Sequence, residues 1–282
     1  MARIPICNYV DCDGIRCRSV GTHAIPVAKR GGRNAFFCDM HANRHAMEGY
    51  GDENHQRRGI EKVNGFTFSM ENETSFSSPI ARMELIDVGY VPTHDGTVDI
   101  EYKSPIYEGL NALSKHCATF DRLIANDEMR IGYECGSHFH VGHRDHINRE
   151  TMDYVRRFYH SLFVPLCREM IEQGSEKTAK FWGRDFSSWA TPITIASPAM
   201  THTNFINTEH NPTIEFRLCK FRNATQYMQV VKFCRDVVNA IINNFILHFN
   251  DNVENITEYR KHKAQIAGEK IVKLYRKYTA NL

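Results

Sequence analysis

The chain has 282 residues, 42% of them hydrophobic and 24% charged, with 35 Lys and Arg against 33 Asp and Glu for a formal net charge of +2. At ~100–200 residues per domain this length holds one large domain, or one with a small appendage, and the composition excludes wholesale disorder and a fibrous repeat. So small a charge also excludes the broad basic excess of a protein whose main task is coating nucleic acid. No apolar run reaches the ~18–20 residues of a membrane span, and the opening Met1-Ala2-Arg3-Ile4-Pro5 carries no apolar stretch like a signal peptide. The expectation is a cytoplasmic protein with no membrane partner. Nine cysteines, four of them within the first 38 residues, favour a metal site over a disulfide framework.

Residues 1–48 hold Cys7, Cys12, Cys17, Cys38, His41 and His45 with few apolar runs, and they read as a small metal-held module. Residues 49–62 are polar and contain Gly51 and Gly59, which marks a linker. A compact domain follows over 63–250. Phe66 to Thr74 alternates as a half-buried strand, Val98 to Lys103 alternates more weakly, and Glu108 to Asn126 spaces Leu110, Leu113, Cys117 and Phe120 as a helix. Gly136 to Gly142 reads as a second alternating strand, with His143 and His146 beyond it on an exposed loop. A helix begins near Arg149, and Pro165 predicts a kink or restart in it. Residues 175–200 show no period and read as a long loop, in which Trp182 and Trp189 are open to two readings, substrate contact or ordinary burial. Thr213 to Leu218 alternates again, Asn223 is an N-cap for a long helix, and residues 251–282 end the chain in a basic helix over about Ile256 to Tyr278.

The first chemistry-bearing pattern is Cys7-x4-Cys12, then 25 residues, then Cys38-x2-His41. Two thiolates, a Gly-containing turn and a Cys-x-x-His at a helix start suit tetrahedral Zn²⁺, with Cys17 or His45 as alternative ligands. Four protein ligands close the coordination shell, so this zinc is expected to be structural rather than catalytic.

The second pattern is a recurrence of i, i+2 pairs on strands: Glu71/Glu73, His138/His140 and Glu215/Arg217. Alternate strand residues point the same way about 7 Å apart, so each pair displays two functional groups on one sheet face. One wet face on an antiparallel sheet accounts for a single polar pair. Clustered carboxylates, however, repel unless cations lie between them, and hard oxygen donors suit Mg²⁺.

These residues also carry a family resemblance. Asn64-Gly-Phe-Thr-Phe-Ser-Met-Glu-Asn-Glu-Thr74, Asp95-Gly-Thr97 with Glu101-Tyr-Lys-Ser-Pro105, Cys135-Gly-Ser-His-Phe-His-Val141, Asn207 and Thr213-Ile-Glu-Phe-Arg-Leu218 resemble, in order and chemistry, the amidoligase family of ATP-dependent carboxylate-amine ligases. The likeness covers roughly residues 63–250. It implies an α+β, glutamine-synthetase-like fold, an antiparallel sheet backed by helices whose concave polar face holds ATP and Mg²⁺. By this analogy Glu71, Glu73 and Glu215 coordinate magnesium, His138 helps complete the metal or phosphate site, and Arg217 neutralises the transferring phosphate. Asp95, Glu101, Ser104, His140 and Asn207 fall to the substrate- and ATP-binding positions. The chain departs from the pattern in carrying polar Asn72 between the paired glutamates.

A carboxylate does not react with an amine at neutral pH, so the implied reaction first moves the γ-phosphoryl group of ATP onto the substrate carboxylate, and the amine then expels phosphate. The chain has neither G-x-x-x-x-G-K-[ST] nor G-x-G-x-x-G, which fits a sheet-face nucleotide site. Two other classes stay open: a metal-dependent hydrolase or nuclease built on the histidines, and a non-catalytic zinc-containing binding protein. Partners under the first reading are a carboxylate and an amine, small molecules or proteins. Nucleic acid is not indicated, although the basic last helix offers an acidic partner a surface.

Overall fold

The computed structural model describes residues 65–93, 98, 100–199, 201–209, 212–248 and 253–282, together with two short strands nearer the N-terminus. Strand β1 (His23–Pro26) pairs antiparallel with β2 (Asn34–Phe37), His23 opposite Phe37 and Pro26 opposite Asn34. The expected zinc ligands Cys7, Cys12, Cys38 and His41, the alternatives Cys17 and His45, the linker and Asp95 all lie outside the described residues. The chain divides into two compact units, one of Met1–Gly59, Met70–Tyr107 and Arg122–Cys135, the other of Ile60–Ser69, Glu108–Asp121 and Gly136–Leu282. Mixed helix and mostly antiparallel sheet make the fold α+β.

In the first unit, β3 (Phe66–Thr74, which enters this unit at Met70) is followed by β4 (Phe76–Ser77), α1 (Pro79–Asp87), β5 (Val91–Thr93), β6 (Ile100–Lys103) and, later, β7 (Met129–Arg130). Helix α1 starts where Ser78 accepts a hydrogen bond from the Ala81 N–H and Pro79 fills the first turn, a position that needs no N–H donor. The strand order is β5-β6-β3. Asn72 opposes Tyr102 and Thr74 opposes Ile100, so these four share one buried face. The Thr74 hydroxyl donates to the Ile100 carbonyl, and Ser77 Oγ lies 2.5 Å from the Tyr102 hydroxyl. The intervening residues put Glu71 opposite Lys103 and Glu73 opposite Glu101 on the other face.

The second unit takes the first half of β3 and the order β3-β8-β10-β9, with β8 at Ser137–His143, β9 at Ile206–Asn207 and β10 at Ile214–Cys219. Across the last three strands Ile206, Phe216 and Phe139 form one row, while Asn207, Glu215 and His140 form the next. The apolar row faces the long helix α6 (Ala224–Asn244; α2 is Leu110–Ala125 and α3 to α5 are placed below), where the Tyr227 ring packs 4.5 Å from Phe139 and 4.7 Å from Phe221. Asn223 caps α6 through the Gln226 N–H, and Asp121 of α2 accepts from the Ala224 N–H. Helix α7 (Ile256–Tyr278) closes the core, with Phe181, Trp182, Phe233 and Tyr275 packed edge to face.

The expected break at Pro165 lies elsewhere. Helix α3 (Arg149–Arg157) ends and α4 (Tyr159–Gln173) begins at Phe158, whose ring packs 5.3 Å from Phe245, and Pro165 lies inside α4. Proline removes the N–H that would bond the Ser161 carbonyl, and that carbonyl instead lies against α7 at Gly268, where a Cβ would approach it to 2.3 Å. The loop expected over 175–200 contains helix α5 (Ser175–Trp182), which buries Thr178, Phe181 and Trp182 and ends at Gly183 with φ of 89°. Trp182 is therefore core, while Trp189 is exposed. His143 also differs from expectation: β8 runs through it, and its buried ring packs 4.8 Å from Phe66 in space left by Gly65. Among the described residues no helix is long and apolar enough to cross a membrane.

The close seating of α7 on α4 predicts that Gly268→Ala, which drives a methyl into the Ser161 backbone, lowers stability by about 1–3 kcal/mol. Denaturant unfolding followed by circular dichroism measures this; an unchanged midpoint contradicts the packing.

Candidate functional site

In the second unit the polar row is organised around Glu215, whose side chain is 1% exposed. A carboxylate so far from water is untenable without compensation. Arg217 Nη1 donates to Glu215 Oε1 at 2.6 Å, Asn207 Nδ2 donates to Oε2 at 2.8 Å, and His138 Nδ1 lies 3.6 Å from Oε1. All four residues were expected at the site, and the structure brings them together. Arg217 follows Glu215 by two strand residues and so leaves the same face. At Arg217 β10 bulges, placing Arg217 and Leu218 against a single β8 residue between the pairs Phe216–Phe139 and Cys219–Ser137. Arg184, which sequence reasoning gave no role, donates from Nη2 to the Arg217 carbonyl at 3.0 Å and packs against Gly136, where a Cβ would come within 3.0 Å of it.

His140 is the cross-strand partner of Glu215, and their ligand atoms lie within 4.8 Å of each other. Its Nδ1 is 3.3 Å from Thr213 Oγ1, so the hydroxyl and ring share a proton whose position depends on the tautomer. His138 is buried, whereas His140 is half-buried.

In the first unit Glu71, Glu73 and Glu101 share one face with Lys103. Lys103 Nζ lies 3.4 Å from Glu71 Oε1 and 3.5 Å from Glu101 Oε2, and Thr93 Oγ1 donates to Glu101 Oε2 at 2.9 Å. Burial acts to lower the Lys103 pKa, but Glu71 and then Glu101 outweigh it and hold the ammonium above the ordinary lysine range. A raised folded-state value adds stability below the unfolded lysine pKa of ~10.4 that is lost as pH rises through the folded value. Because the Lys103 side chain is 44% exposed, solvent screening keeps that contribution small. Lys103 is the residue sequence reasoning missed here, and its signal was its place two residues after Glu101 on the same strand.

Ser104 sits at the end of β6 with its hydroxyl engaged by backbone: it accepts from the Met70 N–H and donates to the Pro105 carbonyl, both at 2.8 Å. The five described cysteines, Cys117, Cys135, Cys167, Cys219 and Cys234, are free and buried. Burial pushes the Cys117 and Cys167 thiols up to about 12, so neither supplies a thiolate nucleophile at neutral pH.

The donor chemistry fits a hard divalent cation in the first unit. Glu71, Glu73 and Glu101 share one face with Lys103 there, and the ligand oxygens of Glu71 and Glu101 approach within 4.8 Å. Compared with known proteins, the chain matches no protein-family model and no curated protein sequence.

Compensation of the buried charge predicts that Arg217→Ala destabilises the protein by about 3–5 kcal/mol, and that adding Glu215→Gln recovers most of the loss. Chemical denaturation of the single and double variants tests this; a loss under ~1 kcal/mol, or no recovery, contradicts the assignment.

Proposed function

We propose that the protein is an ATP-dependent carboxylate-amine ligase that forms an amide bond through an acyl phosphate. The observation that carries this reading is the alignment of Glu71, Glu73 and Glu101 on one strand face, with Lys103 Nζ 3.4 Å from Glu71 and 3.5 Å from Glu101. Like charges directly opposite on a strand pair repel, so an arrangement of this kind gains from an added cation. The ordered motifs that resemble the amidoligases supply the chemistry, and a glutamine-synthetase-like sheet belongs to the same proposal.

A substrate carboxylate oxygen attacks the γ-phosphorus of ATP, ADP departs, and the amine nitrogen then attacks the acyl carbon, expelling phosphate and losing a proton. Magnesium held by Glu71 and Glu73, with Glu101 on the same face, would offset phosphate charge. Arg217 brings a guanidinium that its bond to Glu215 directs, as charge stabilisation of a transferring phosphoryl group requires. Glu215 also accepts from Asn207 and lies 3.6 Å from His138 Nδ1, so these two add polar groups beside it for the reactants. Zinc in residues 1–48 has a structural part in this proposal.

Incubating the purified chain with ATP, Mg²⁺ and pooled amines and carboxylates is expected to release ADP in step with amide product. Glu71→Gln, at a half-buried surface position, abolishes that turnover and leaves the thermal midpoint within a few degrees. Failure of ATP to bind at millimolar concentration, or turnover that survives the substitution, contradicts the reading.

A further inference from the structure

Away from the sheet, and within the second unit, helices α4 and α7 and the loop through Ile195 enclose an open groove of about 840 Å³. Its floor is aliphatic, made by Val164, Pro165, Ile195 and Ile266. Ile195 is 69% exposed, so this part of the aliphatic lining faces water. Arg168 from α4 and Lys261 from α7, both exposed, bring positive charge to the rim, with Glu269 as the single carboxylate of the lining. Helix α7 as a whole carries seven Lys and Arg against Glu258 and Glu269. The volume lies within the ~300–1,000 Å³ typical of ligand clefts.

We propose that this groove docks an acidic amphipathic peptide segment of a partner protein, with an apolar side chain on the aliphatic floor and carboxylates on Arg168 and Lys261. The charge of the rim selects an acidic occupant, and the floor selects one that also has aliphatic side chains. A nucleic-acid strand fits less well, because its bases stack on aromatic rings, the floor is aliphatic, and Glu269 repels phosphate. The docking surface is separate from the strand faces that bear the ligase reading, so it stands or falls independently of that reading.

Fluorescence anisotropy with a labelled peptide alternating Glu and Leu, titrated with the full chain, tests it. Saturable binding is expected, weakening with added salt and falling roughly tenfold in the Arg168→Ala/Lys261→Ala double variant. Ile195→Ser, which alters the floor from an exposed loop position, weakens binding as well, while Lys277→Ala outside the groove leaves it unchanged. Equal binding of a Gln-Leu peptide, unchanged binding by the double variant, or stronger displacement by oligouridylate than by the unlabelled Glu-Leu peptide overturns the proposal.

Discussion

The second unit is arranged around one electrostatic requirement, the charge of a carboxylate almost wholly removed from water. Glu215 satisfies it through Arg217 and Asn207, one on its own strand and one on the neighbouring strand β9. That requirement fixes register. Sliding β10 by one residue would turn Glu215 toward the row of Ile206 and Phe139 and bring Phe216 out among the polar groups. Burial of the apolar row under α6 and charge compensation on the opposite face therefore select the same pairing. The guanidinium two residues along leaves the same face as the carboxylate, and the strand bulges just there, after Phe216.

The first unit meets the same problem with the opposite balance. Its buried face is internally satisfied, Thr74 bonding the Ile100 carbonyl and Ser77 meeting the Tyr102 hydroxyl. Its other face gathers Glu71, Glu73 and Glu101 beside Lys103, whose ammonium lies 3.4 Å from Glu71 and 3.5 Å from Glu101. In the second unit Glu215 has a built-in arginine, whereas the proposed function has the carboxylates of the first unit also take up a cation from solution.

Period-two patterning made the three site strands legible in the sequence, since Phe66 to Thr74, Ser137 to Val141 and Ile214 to Leu218 each alternate between core and chemistry. The i, i+2 pairs named Glu71, Glu73, His138, Glu215 and Arg217 for the same reason. Short elements escaped. Strand β9 has two residues, too few to show a period, so Asn207 could be placed only through the family resemblance. Helix α1 buries Ala81 and Leu85 but leaves Ile80 and Met83 in water, which erases the usual apolar stripe. Helix α5 alternates Ser, Lys and Thr with its two aromatic residues at the very end, and it reads as loop until Phe181 and Trp182 are seen to pack on Phe233. Pro165 misled because its cost depends on a neighbour far along the chain: Gly268 leaves room for the carbonyl that proline frees. Arg184 acts through contacts far along the chain, at Gly136 and the Arg217 carbonyl, that no local pattern encodes.

In the proposed function the carboxylate face of the first unit takes up a divalent cation. Mn²⁺, a spectroscopically visible substitute for Mg²⁺, tests it directly through electron paramagnetic resonance of the free ion during titration of the purified chain. Saturable uptake is expected for the native protein, and loss of that uptake in a Glu71→Gln/Glu101→Gln variant whose circular dichroism spectrum is unchanged. Uptake that is absent in the native protein, or equal in the two, would contradict it.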